Sequence, residues 1–86
     1  MGRIPKGWKK SMDNENVIGY SKNAYTIYLW KNKQIKQYTV EPFRKLANYK
    51  RRLFKRDFIS LSDAKRFAWS LMRQKEIRGY YSKNEA

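Results

Sequence analysis

The stretch Val17-Ile-Gly-Tyr-Ser-Lys-Asn-Ala-Tyr-Thr-Ile-Tyr-Leu-Trp-Lys-Asn-Lys-Gln-Ile-Lys-Gln-Tyr-Thr-Val40 decides the fold. It is dense in the β-branched and aromatic residues that suit a pleated, half-buried surface, and two polar breaks divide it. Lys22-Asn23 and Asn32-Lys33 are turn material, because Asn tolerates the positive φ that tight hairpins demand. Three strands are predicted, at about 17–21, 24–31 and 34–40. Setting Tyr20 opposite Tyr25 and Trp30 opposite Ile35 sorts their side chains onto two faces. One collects Ile18, Tyr20, Tyr25, Ile27, Leu29, Tyr38 and Val40, the more apolar set, and is expected to pack on the core. The other collects Val17, Gly19, Thr26, Tyr28, Trp30, Ile35, Gln37 and Thr39, aromatic bodies mixed with hydrogen-bonding tips, and is expected to touch a ligand.

Downstream, Ser60-Leu-Ser-Asp63 supplies two candidate N-caps and an acidic first turn. Ala64, Phe67, Ala68, Leu71 and Met72 then recur at amphipathic helical spacing, so a helix is predicted over 61–77, packed on the sheet and stopped by Gly79. The intervening residues 41–57 admit two readings. Pro42 can open a helix with Phe43, Leu46, Ala47 and Phe54 on one side, or the segment is an irregular basic loop. Upstream, residues 1–16 show neither helical nor strand period and read as a flexible basic arm, with Trp8 docking it on the domain. The expected fold class is α+β: a three-stranded antiparallel sheet against a C-terminal helix, with a basic segment between them. The domain spans 17–78, and 79–86 form a tail.

At 86 residues the chain buries only about 60–65% of the surface its unfolded state exposes, so the core is thin. Aromatic residues make up 16% of the chain, too many for a disordered segment. Twenty-one Lys and Arg against seven Asp and Glu leave a formal net charge of +14, well above the ~2–8 that solubility asks of a small domain. Nucleic acid is the expected neutraliser, since each cation that displaces a condensed counterion from polyphosphate gains free energy.

The chain has no Cys and no His, which removes disulfides, thiolate nucleophiles and the commonest metal ligand and general base. Its seven carboxylates are scattered in sequence, with Asp13 and Glu15 the closest pair, so no enzyme, no metal and no cofactor is expected. No apolar run approaches the ~18 residues of a spanning helix, and the basic amino terminus lacks a signal-peptide core. An intracellular place, in cytoplasm or nucleoid, with no membrane and no small-molecule substrate, is the expectation.

Three constellations are candidates for contact. Arg44, Lys45, Lys50, Arg51, Arg52, Lys55 and Arg56 place seven cations in thirteen residues, interleaved with Leu46, Tyr49, Leu53 and Phe54. That interleaving favours a folded phosphate anchor over a solvated face, and the guanidinium forks of Arg51 and Arg52 match phosphate oxygens best. On the free sheet face Thr26, Tyr28, Trp30, Gln37 and Thr39 are candidate groove or base contacts, with Lys31, Lys33 and Lys36 near the distal turn as phosphate contacts. On a single strand, Tyr28 and Trp30 would instead stack on bases. The competing role for these rings is a second hydrophobic layer. In the arm, Arg3, Lys6, Lys9 and Lys10 suit a narrow minor groove, with a solvated terminus as the alternative.

The order of three antiparallel strands and one helix, with Lys55-Arg-Asp-Phe-Ile-Ser-Leu-Ser62 leading into that helix, resembles the amino-terminal arm-binding domains of tyrosine-family integrases from conjugative transposons and phages. Plant ethylene-response-factor domains are similar in layout. The resemblance spans about residues 17–77 and implies duplex DNA held on the exposed sheet face with the helix behind it. Residues 41–57 are longer and more basic than that layout needs. The expected function is non-enzymatic binding of double-stranded DNA in an architectural, chromatin-like or mobile-element accessory role. An RNA-binding or ribosome-associated protein is the first alternative, and a basic protein-interaction module or inhibitor the second.

Overall fold

In the computed structural model, which describes residues 3–77, six strands and one helix follow one another along the chain. They are β1 (Lys9–Asp13), β2 (Val17–Lys22), β3 (Tyr25–Asn32), β4 (Gln37–Lys45), β5 (Lys50–Arg52), β6 (Arg56–Phe58) and α1 (Leu61–Met72). All six strands join one antiparallel sheet, in the order β1-β2-β3-β4-β5 with β6 also paired to β4. The three-stranded sheet expected from the sequence is therefore corrected. Its strands are the centre of a wider sheet, extended on one side by part of the expected arm and on the other by the expected loop or helix. The expected tail at 79–86 and the stop at Gly79 lie outside the described residues.

Both central hairpins turn later than the sequence suggested. Lys22 closes on Tyr25 with Asn23 at φ 46, so Tyr20 faces Ile27 rather than Tyr25. The second loop runs from Lys33 to Lys36, with Lys36 at φ 52, and Trp30 faces Thr39 rather than Ile35. Each register moves by an even number of residues, and a strand's faces alternate with period two. Apart from Ile35, which falls in the second loop and on neither face, the two faces therefore keep their membership. Ile18, Tyr20, Ile27, Leu29 and Val40 are buried beneath α1, while Trp30 stays exposed on the opposite face.

Pro42 explains the divided far edge. Instead of opening a helix it is a buried member of β4, facing Ile27 of β3. Its carbonyl accepts from the Leu53 amide on the far side, and a strand residue directs its N–H and C=O to the same neighbour. The donor that Pro lacks is thus missing from the ladder to the returning chain, and there that chain breaks into β5 and β6. Leu53, Phe54 and Lys55 oppose only Glu41 and Pro42, which is a bulge. The bulge lets Phe54 drop into the core against Phe67, with ring centroids 6.1 Å apart.

α1 is capped by the Ser60 hydroxyl, which accepts from the Asp63 amide at 3.2 Å. It buries Ala64, Ala68, Trp69, Leu71 and Met72 but ends at Met72, short of the expected residue 77. At that point the Trp8 indole N–H donates to the Met72 carbonyl at 3.1 Å, satisfying one of the orphan acceptors that every helix end carries. Trp69 returns the contact, its indole N–H donating to the Arg3 carbonyl at 2.9 Å. Ile77 then folds back into the core. The leading segment is thus held at the Arg3 carbonyl, at Trp8 and through β1, and not loose as an arm would be.

Gly7, in the turn before Trp8, sits at φ 89, where a Cβ would meet the Lys22 side chain at 2.9 Å. L-residues rarely adopt that backbone. Gly7→Ala is expected to lower stability by about 1 kcal/mol, read as a lower urea midpoint with an unchanged slope.

Candidate nucleic-acid interface

Alternation along β4 decides where the cations go. Even-numbered residues from Tyr38 to Arg44 face α1, and odd-numbered ones from Gln37 to Lys45 face outward. Across the far edge Lys45 pairs with Lys50, Arg44 with Arg51 and Phe43 with Arg52. This edge ribbon of the sheet, whose inner strand β4 is also paired with β3 at Thr26 and Tyr25, therefore carries cations on both faces: Lys45, Lys50 and Arg52 outward, Arg44 and Arg51 on the helix side. Like charges directly opposite each other destabilise a strand pair, yet two such pairs are consecutive here. Among the described residues, Arg52 alone of the five has a carboxylate partner, Glu41, at 3.1 Å. Arg44 lies 6.0 Å from the centre of the Tyr25 ring, and Lys50 lies 5.6 Å from that of Tyr28.

The seven-cation run is thus not one patch. Lys55 sits in the bulge, lining a hollow near the other end of β4. Arg56 faces α1, its guanidinium 4.9 Å from the Phe67 ring centre and 5.4 Å from that of Phe58. Lys31 also turns to the helix side, with 11% of its side chain exposed and Asp13 at 4.0 Å. Lys33 and Lys36 are exposed in the β3–β4 loop. Of the arm residues, Arg3 and Lys6 precede β1, while Lys9 and Lys10 belong to it, and Lys10 pairs with Asp13 at 2.9 Å. That hydrogen bond holds the Asp13 carboxyl below the usual carboxylate range. Burial pushes the Tyr20 phenol up.

Thr26, Tyr28, Trp30, Gln37 and Thr39 do share the face away from α1, but most of their polar tips are already engaged. Thr26 is buried. The Trp30 indole N–H donates to Glu41 Oε1 at 2.6 Å, the Thr39 hydroxyl donates to Asp57 at 2.6 Å, and Lys50 Nζ donates to the Tyr28 hydroxyl at 3.3 Å. Tyr28 lies between Trp30 and Phe43, with centroid distances of 6.0 Å and 5.6 Å, so the three rings form a row across the face.

Comparison with protein-family models, with curated proteins and with solved structures returns no match. The interface therefore rests on its own geometry. Among the described residues no helix is long and apolar enough to cross a membrane, and no three acidic side chains gather as metal ligands would.

Glu41 and Asp57 are the site residues that sequence reasoning missed. Glu41 was within reach, because continuing the alternation of Gln37 and Thr39 through Pro42 puts it on the outer face. Asp57 had no such signal, since it meets Thr39 only because the bulge shifts the register of β6.

Proposed function

We propose that the chain is a non-enzymatic DNA-binding protein that grips the backbone of a duplex with the β4–β5 ribbon. The observation that carries this reading is the pair of opposed cations, Arg44 with Arg51 and Lys45 with Lys50, at an end of the sheet where one carboxylate serves five positive groups. The free protein bears that repulsion, and a polyanion relieves it. Width favours the β4–β5 edge over the open face as the part that meets DNA. Five strands side by side span about 19 Å at ~4.8 Å per step, wider than a major groove of about 12 Å, so the sheet meets the duplex with its β4–β5 edge and not with its whole face. Cations on both ribbon faces suit a groove with phosphates along both walls. Contact thus moves from the middle of the face to its basic edge, where phosphates position the protein without carrying sequence information. The deep, narrow major groove of A-form RNA does not admit such an edge.

Titration of one duplex sequence as DNA and as RNA, from about 50 to 200 mM salt, tests the reading. DNA is expected to bind more tightly, with log affinity falling by about 0.9 per log unit of salt for each phosphate engaged. A preference for the RNA duplex, or an affinity indifferent to salt, overturns it.

A further inference from the structure

The outer face also carries a hollow of about 590 Å³ at the end of β4 remote from the ribbon. Its volume falls within the ~300–1,000 Å³ of small-ligand sites, and its lining differs in kind from the ribbon. Trp30 presents its ring, which is 44% exposed. Asn16, Asn32 and Gln37 supply amide groups that both donate and accept. Lys33 and Lys55 balance Glu15 and Asp57, and the Lys31 ammonium is drawn toward Asp13. In a chain of net charge +14 this hollow is close to neutral.

Such a place suits an uncharged planar group with a hydrogen-bonding edge, and the ribbon on the same strand already suits phosphates. We infer that the hollow takes one unpaired nucleobase, stacked on Trp30 and met at its edge by the surrounding amides. The Trp30 ring is held in place beforehand, because its N–H is tied to Glu41 at 2.6 Å, so stacking costs little ordering of the protein. The inference rests on the DNA-binding reading and names a partner within it: a duplex that continues into a single strand. From Thr39 to Lys45 along β4 is about 20 Å at ~3.4 Å per residue. About six nucleotides at ~3.4 Å each cover that distance.

The test compares a blunt duplex, the same duplex with a tail of about six thymidines, and the same duplex with an abasic tail of equal length. The thymidine tail is expected to bind roughly tenfold more tightly than the abasic tail and to quench tryptophan emission, since Trp8 and Trp69 are buried. In Trp30→Ala the ratio between the two tails should fall to one, Trp30→Phe should keep part of it, and Gln37→Ala should lower it without removing a ring. Equal affinity for the two tails, or a ratio that survives in Trp30→Ala, overturns the inference. If the blunt duplex does not bind, the ribbon reading has failed separately. Free oligothymidine against an abasic oligomer then decides the hollow, with preference for the bases supporting it and equality overturning it.

Discussion

The double variant Lys45→Ala/Arg51→Ala is expected to bind duplex DNA about a hundredfold more weakly while melting at a higher temperature. Each residue is exposed, each faces another cation directly across the ribbon, and neither has a carboxylate partner among the described residues. If each engages one phosphate, its loss removes a charge-assisted contact of about 1.5 kcal/mol, close to tenfold, and together the two lower the salt slope by about 1.8. In the free protein the same change dissolves both opposed pairs, each costing about 0.2–1 kcal/mol. A gain of 1 kcal/mol raises the melting temperature of a domain this size by about 4–8 °C. Fluorescence anisotropy on a labelled duplex and thermal unfolding of the free protein read the two effects. Their opposite signs are the point, because a variant that lost affinity by losing its fold would move both measurements down. Unchanged affinity would show that the ribbon cations serve something other than phosphate.

How far this interface was legible in the sequence follows from which signals are local. Alternation from Val17 to Val40 is local, and it sorted core residues from outer ones even though both turns are placed differently, because an even shift preserves parity. The cap at Ser60 and the apolar stripe of α1 are local as well. What escaped was strand pairing that depends on partners far away in the chain. Lys9–Asp13 has almost no apolar content and is a strand because the free edge of β2 offers backbone partners. Lys50–Arg52, three consecutive cations, would favour no ordered element by itself, and it becomes a strand by pairing with β4. Pro42 argued against a strand for sound reasons, yet its missing donor falls at a bulge, where a strand tolerates it.

That distinction also sets what the site could reveal. The seven cations from Arg44 to Arg56 were visible, but their division among ribbon, hollow and helix side was not, because it follows from the bulge opposite Pro42. The charge balance of the outer face was not legible for the same reason. Glu41 and Asp57 neutralise its middle, leaving charge at the ribbon and rings and amides at the hollow.

Trp69→Ala is expected to cost about 3–5 kcal/mol, the usual range for emptying an aromatic site in a core. At ~0.05–0.15 kcal/mol per residue, a domain this size has only about 4–13 kcal/mol in all, so the variant should unfold at much lower urea. Three contacts depend on this ring. It packs edge-on against Tyr20 with centroids 5.4 Å apart, it belongs to the cluster with Leu71 and Ile27, and its N–H donates to the Arg3 carbonyl. Trp69→Phe separates them, keeping a ring against Tyr20 while removing the donor, and its smaller loss of about 1–3 kcal/mol reports the lost indole hydrogen bond to the Arg3 carbonyl together with the volume lost. Trp8→Phe makes the matching change at the Met72 carbonyl. Since the two indoles tie the same two segments in opposite directions, the pair is expected to be non-additive. Once either tie is gone the leading segment is freer to leave α1, and losing the second costs less. Additive losses in the double variant would show instead that each indole acts alone and that the leading segment is held by β1.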